Sequence, residues 1–162
     1  KIDKGDLTLE YKEVEMNDLL AAIIDSMSLQ LQKRNAKVKL ELNAKRAVVM
    51  GDEFHISNII FNLIDNANKY SKTDPEIKIS TSNIAHKLVI KVADKGIGMN
   101  RDQQSKIFDQ FYRIPTGNLH DVKGFGLGLS YVSNIVKRLQ GSVHVKSEKN
   151  KGSEFELTFR TV

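Results

Sequence analysis

Four amides in fourteen residues mark the stretch NIIFNLIDNANKYS, residues 58 to 71. Ile59, Ile60, Leu63, Ile64 and Ala67 repeat at helical spacing, yet Asn58, Asn62, Asn66 and Asn68 are poor helix formers, because their side chains compete with the helix for backbone hydrogen bonds. Asn58, Asn62 and Asn66 are four apart and Lys69 follows three later, so they share one face. A row of amides that costs helix stability implies a use for those side chains. A second candidate is Asp94, which ends the apolar run KLVIKVA directly before Gly96 and Gly98. There a carboxylate can accept a hydrogen bond from an adenine amino group, whereas guanine would set acceptor against acceptor. A third is GFGLGL, where Gly124, Gly126 and Gly128 open a helical pattern, so the N–H groups near Gly126 to Leu129 lie at a positive dipole end suited to phosphate. Neither GxxxxGK[ST] nor a strand-led GxGxxG is present.

These residues need elements to hold them. Alternation over Leu7 to Val14 predicts a strand, and a helix follows with Asn17 or Asp18 as cap and Leu19, Leu20, Ile23, Ile24, Met27 and Leu31 as its apolar stripe. Two short strands at 38 to 42 and 47 to 50 precede the asparagine helix, for which Asp52 is the candidate cap. IKIST at 77 to 81 and KLVIKVA at 87 to 93 read as a hairpin joined by SNIAH. Asn100 caps a short helix, a long loop follows through Pro115 and Gly117, and the stripe Leu129, Val132, Ile135, Val136, Leu139 makes a helix stopped by Gly141. SVHVKS and EFELTF form the last two strands. The order predicts an α+β fold, a two-layer α/β sandwich whose mixed, mainly antiparallel sheet is covered by helices on one face.

The 162 residues suffice for one domain with a real core. With 40% hydrophobic and 28% charged residues the chain is globular, and no apolar run approaches the roughly 20 residues of a membrane helix. KIDKGDLTLE has no apolar signal core, so this stretch is expected to be neither secreted nor membrane-spanning. The absence of cysteine excludes disulfides and thiolate metal sites. The net charge of +5 is scattered and densest over Lys33 to Arg46, without interleaved aromatics, which reads as a solvated face and predicts no nucleic-acid partner.

NLIDNANKYS, DKGIGM, FDQF and GFGLGL, in that order, resemble the N, G1, F and G2 boxes of sensor histidine kinases, within the ATP-binding superfamily that includes Hsp90, DNA gyrase and MutL. The resemblance covers residues 52 to 160. It implies the Bergerat-type fold, with ATP and Mg²⁺ as cofactors. It implies that Asn66 gives an amide oxygen to Mg²⁺, that Asn62 lines the same site, that Lys69 and Arg113 contact the phosphates and that Tyr70 lies near the nucleotide. Asp94 would read adenine with Gly96 and Gly98 clearing room for it. Lys123, Gly124, Gly126, Leu127, Gly128 and Leu129 would form the phosphate-side end of a lid packed by Phe108 and Phe111. Asn58 and Asn68 are read as solvated. Two positions depart from the pattern: Lys95 replaces a small or polar residue and Phe125 a threonine or serine.

Members that hydrolyse ATP carry a glutamate one turn before the metal-binding asparagine, and Asn62 stands there, which favours phosphoryl transfer to another group. Asp65, about 100° round the helix from Asn66, is the alternative base. His55, His86 and His144 lack the phosphoacceptor context, and His120 sits within the long loop, so the acceptor is expected outside this chain. Residues 1–15 resemble the end of a linker from a dimerisation and phosphoacceptor domain together with the first strand, and 16–162 the catalytic ATP-binding domain. The resemblance further implies a homodimeric parent anchored in the bacterial cell membrane, this domain in the cytoplasm, and a response regulator receiver domain as partner. The alternatives are a degenerate interaction module of the same fold and an Hsp90-like or MutL-like ATPase.

Overall fold

Apolar residues at alternate positions of the strands point to one side of a five-stranded sheet, and that side carries the core. In the computed structural model, which describes residues 8–114 and 128–162, the sheet has the order β2-β4-β5-β7-β6. Its strands are β2 (Lys37–Leu42), β4 (Glu76–Ile84), β5 (Lys87–Asp94), β6 (Ser142–Glu148) and β7 (Gly152–Arg160). β2 runs parallel to β4 and every other pairing is antiparallel. Ile77 and Ile79 of β4, Leu88, Ile90 and Val92 of β5, and Phe155, Leu157 and Phe159 of β7 are buried on the covered face. The opposite face is charged, with Glu41 bridging Lys39 and Lys78 at 3.1 Å each.

The covering layer consists of α1 (Met16–Ser26), α2 (Ser28–Lys33), α3 (Glu53–Lys69) and α5, described over Gly128–Arg138, while the short α4 (Arg101–Lys106) lies against β6. α3 packs on α1, α5, β4 and β5, and its Ile56, Ile59, Ile60, Leu63 and Ile64 are almost fully buried. Burying each such side chain contributes roughly 1.5–3 kcal/mol, enough to carry several weak helix formers on the remaining face.

The expected two-layer α+β sandwich is therefore observed, with differences in detail. A second, two-stranded sheet pairs β1 (Lys12–Glu15) with β3 (Val48–Gly51). The first helix starts two or three residues earlier than expected, and the Glu15 side chain caps it by accepting from the Asp18 N–H. Asn17 instead bonds the Ala44 carbonyl and the Thr81 hydroxyl. The stripe to Leu31 breaks into two helices at Met27. Asp52 caps α3 through the His55 N–H, and Asn100 caps α4 in a reciprocal pair with Gln103, both as expected. At the end of α5 the left-handed position is held by Gln140, at φ 60°, and not by Gly141, whose N–H closes onto the Val136 carbonyl.

Asn68 is buried, contrary to the solvated reading, and its amide oxygen has no hydrogen-bond partner among the described residues. Beside it the Arg34 guanidinium donates to the Asn68 and Ser71 carbonyls, satisfying orphan groups at the end of α3. Since charged hydrogen bonds contribute about 1.5–3 kcal/mol, Arg34→Met is expected to lower the unfolding free energy by about 2 kcal/mol in urea titrations. Arg34→Lys should restore only part of that, because an ammonium lacks the planar fork that spans two carbonyls.

Candidate functional site

Strand alternation decides where Asp94 points. Leu88, Ile90 and Val92 face the core, so the next residue of that phase, Asp94, puts a carboxylate at the open end of the helix-covered face. The following DKGIGM segment is wedged between two elements: the Ile97 N–H donates to the Tyr70 carbonyl at the end of α3, and the Ile97 carbonyl accepts from Asn150 in the β6–β7 turn. The Met99 N–H donates to the Ser147 hydroxyl at 2.7 Å. Asp94 Oδ1 accepts from the Gly96 N–H at 2.8 Å and the Ser153 N–H at 3.3 Å. Among the described residues no donor reaches Oδ2.

Asp94 lines a cavity together with Asn66, Tyr70, Ile97, Gly98, Met99, Ile107, Ile114, Leu129, Ser153 and Phe155. A mostly apolar slot with one carboxylate suits a flat base carrying an amino group. Asn66, Tyr70, Asp94, Gly98 and Leu129 are thus brought together as the sequence predicts. Ser153, Ile97, Met99, Ile107, Ile114 and Phe155 were missed. Only burial of an otherwise ordinary strand or loop position marks them, and that is invisible to local pattern.

The two glycines also answer a constraint within the fold. A Cβ on Gly96 would lie 2.6 Å from the Tyr70 carbonyl oxygen and 2.9 Å from Asp94 Oδ1. Gly98, at φ +65°, lies with no room for a Cβ against the Glu148 carbonyl. They let protein backbone close around Asp94, and a larger residue there would collide with the fold before it met a ligand.

Along α3, Asn62 faces the start of α5, where a Cβ added to Gly128 would stand 3.2 Å from its amide oxygen. Neither the Asn62 nor the Asn66 side chain hydrogen-bonds to another described residue, so two amide groups one turn apart are left for an outside partner. Lys69 pairs with Asp65 at 2.8 Å, which ties up the carboxylate considered as an alternative base. Tyr70 closes α3, and burial raises its phenol, opposed by the charges of Arg113 and Lys69 and a hydrogen bond from Arg113. Lys69, Tyr70 and Arg113 therefore cluster at one end of α3. Asn58 is half-buried and bonded to Tyr131, again not solvated.

The two phenylalanines separate. Phe108 packs edge-on to Phe155 with ring centroids 6.2 Å apart, under the cavity floor. Phe111 is 66% exposed at φ 68°, with no packing role among the described residues. Lys95 is exposed and pairs with Glu76 at 3.3 Å. Lys123, Gly124, Gly126 and Leu127, with His120 and Phe125, lie outside the described residues. No group of three His, Cys, Asp or Glu side chains able to hold a metal occurs among the described residues.

Burial raises the Asp94 carboxyl from 3.8 to about 6, against the two N–H donors that oppose it. The folded chain therefore holds more protons than the unfolded one between these values, and stability falls as pH rises through that window. The penalty is absent below about pH 4 and full above about pH 6, and amounts to at most about 3 kcal/mol. Asp94→Asn keeps an acceptor for Gly96 and Ser153 and removes the buried charge. It is expected to stabilise the protein by up to that amount in urea unfolding at about pH 7.5, with the gain vanishing toward pH 4.

The family of histidine kinase-, DNA gyrase B-, and HSP90-like ATPases matches residues 51–162. The chain is 43% identical over 155 residues to the sensor protein RprX of Bacteroides fragilis, covering 94% of this chain and 30% of that protein. It is 32% identical over 159 residues to the signal transduction histidine-protein kinase ArlS of Staphylococcus aureus, covering 98% of this chain and 35% of that one. It thus spans about a third of the length of these curated relatives. Among solved structures, the catalytic domain of the histidine kinase ThkA superposes with a TM-score of 0.81 at 24% identity, covering 94% of this chain and 98% of that one, which shows the fold. Full-length ShkA, solved in complex with AMPPNP, gives a TM-score of 0.81 at 25% identity, covering 96% of this chain and 32% of that one. With more than half of its length matching the family model and with the same fold, the chain belongs to the histidine kinase-, DNA gyrase B-, and HSP90-like ATPase family.

Proposed function

We propose that this domain binds Mg-ATP and presents its γ-phosphate to a histidine on a separate dimerisation domain, with residues 1–15 as the end of the connecting linker and the first strand. The observation that carries the reading is the half-buried carboxylate of Asp94 in a mostly apolar cavity that it shares with Asn66 and Tyr70. Asp94 Oδ2 accepts the adenine amino proton. Asn66, with Asn62 one turn away, would hold the cation through amide oxygen, the hard donor type that Mg²⁺ prefers. The cation would supply charge neutralisation at the phosphate oxygens. Lys69 and Arg113 stand at the same end of α3 and bind the phosphates, Lys69 exchanging its bond to Asp65 for one to phosphate. Leu129 and Gly128 bring the start of α5 to that side.

Catalysis is positioning and electrostatics. The acceptor imidazole nitrogen forms a bond to the γ-phosphorus, the bond to the β–γ bridging oxygen breaks, and ADP leaves. Water is not activated, because Asn62 occupies the place of a base and Asp65 is paired with Lys69. The domain stands in the cytoplasm, its parent is a membrane-anchored homodimer, and a response regulator receiver domain takes the phosphoryl group onward. ThkA, which shares the fold, has been solved with the response regulator TrrA. No described helix is long and apolar enough to cross a membrane.

Incubated with γ-labelled ATP and Mg²⁺, the domain alone is expected to gain no acid-labile label and to release phosphate at background rate. A dimerisation domain from the parent, added in trans, should become labelled, and Asn66→Ala should reduce that labelling at least about tenfold. Stable label on the isolated domain, or steady hydrolysis by it, would overturn the assignment of a separate acceptor.

A further inference from the structure

The nucleotide reading leaves Asn58 without a role, although it stands on the same face as Asn62 and Asn66. Its partner is Tyr131 of α5, whose hydroxyl it contacts. The same hydroxyl lies 2.6 Å from His55 Nδ1, and the two rings are 6.0 Å apart with their planes tilted by 43°. His55, Asn58 and Asn62 therefore meet α5 in sequence along α3. The first two hold Tyr131, and the third faces Gly128, three residues before Tyr131. One hydroxyl thus bridges the two helices within the first described turn of α5, next to the point where Gly128 meets the candidate metal and phosphate side of the site. The adenine end, around Asp94, Gly96 and Ser153, is held by different bonds, between β5, β7 and the end of α3.

We propose that Tyr131 is a positioning residue, clamped by His55 and Asn58, that sets the start of α5 against Asn62 and so controls affinity for the polyphosphate of the nucleotide and not for its base. Tyr131 touches neither. Its hydroxyl is engaged at once by the His55 ring nitrogen and the Asn58 side chain, two groups one turn apart on α3, which fixes the rotation of α5 about its axis. Displacing that turn by a fraction of an ångström changes the aim of backbone N–H groups whose value depends on orientation. The inference rests on the Mg-ATP reading.

Tyr131→Phe keeps the ring and loses only the hydroxyl. Calorimetric titration of the whole chain with a non-hydrolysable ATP analogue and Mg²⁺ should show affinity reduced about three- to tenfold, the range for one net hydrogen bond, with adenosine affinity changed less than about twofold. Asn58→Ala should give the same selective loss, and the double variant no more than the larger single loss, because both remove one clamp. Parallel losses for adenosine and the ATP analogue would reduce Tyr131 to a general structural role and overturn the proposal. Unchanged affinity for the ATP analogue would overturn it as well. If the unaltered chain binds neither ligand, the Mg-ATP reading itself fails and takes this inference with it, an outcome distinct from the other two.

Discussion

The site depends on one constraint: a carboxylate must stay on the core face of a sheet at the strand's last residue, where burial opposes its charge. Everything around Asp94 serves that placement. The chain doubles back immediately after β5, and the Gly96 and Ser153 N–H groups bind one carboxylate oxygen while leaving the other for a ligand. The turn closes only because Gly96 and Gly98 carry no side chain where the Tyr70 and Glu148 carbonyls come close. Binding a donor at the free oxygen returns part of the desolvation cost, so the strain on the empty fold becomes selectivity for a base with an amino group.

α3 joins this end of the site to the other. Its apolar face is the centre of the core, and that burial supports a second face rich in residues unsuited to a helix. The amides divide by location. Asn68 is locked in the interior beside Arg34, Asn58 bonds α5, and Asn62 and Asn66 keep their side chains for an outside partner. A single helix can thus anchor the fold and present a cation site, because one periodicity serves both, with the core on one side and ligands on the other.

Much of this was legible before any coordinates. The apolar runs IKIST and KLVIKVA marked both strands of the hairpin and put Asp94 at the end of the second, and the i, i+4, i+8 spacing of asparagines put Asn62 and Asn66 on one face. Residues whose role depends on distant neighbours were not legible. Asn58 and Asn68 look equally polar in the sequence, and only the positions of Tyr131 and Arg34, 73 and 34 residues away, decide their fates. Gly96 and Gly98 were recognised as necessary, but the carbonyls that a Cβ would strike, at the ends of α3 and β6, were not visible in the sequence. Ser153 and Phe155 sit in a regular strand with no local mark of the cavity they line. Phe111, one of a matching FDQF pair, turned outward on a positive φ that composition does not reveal.

The most direct test of the account is a paired calorimetric titration of the chain with non-hydrolysable analogues of ATP and GTP in the presence of Mg²⁺. An ionised Asp94 carboxylate that accepts from the base predicts saturable binding of the adenine nucleotide, with the guanine nucleotide at least about tenfold weaker, because its carbonyl would leave two acceptors unpaired. Equal affinity for the two nucleotides, or no binding of either at millimolar concentration, would contradict the role assigned to Asp94 and with it the site built around that residue.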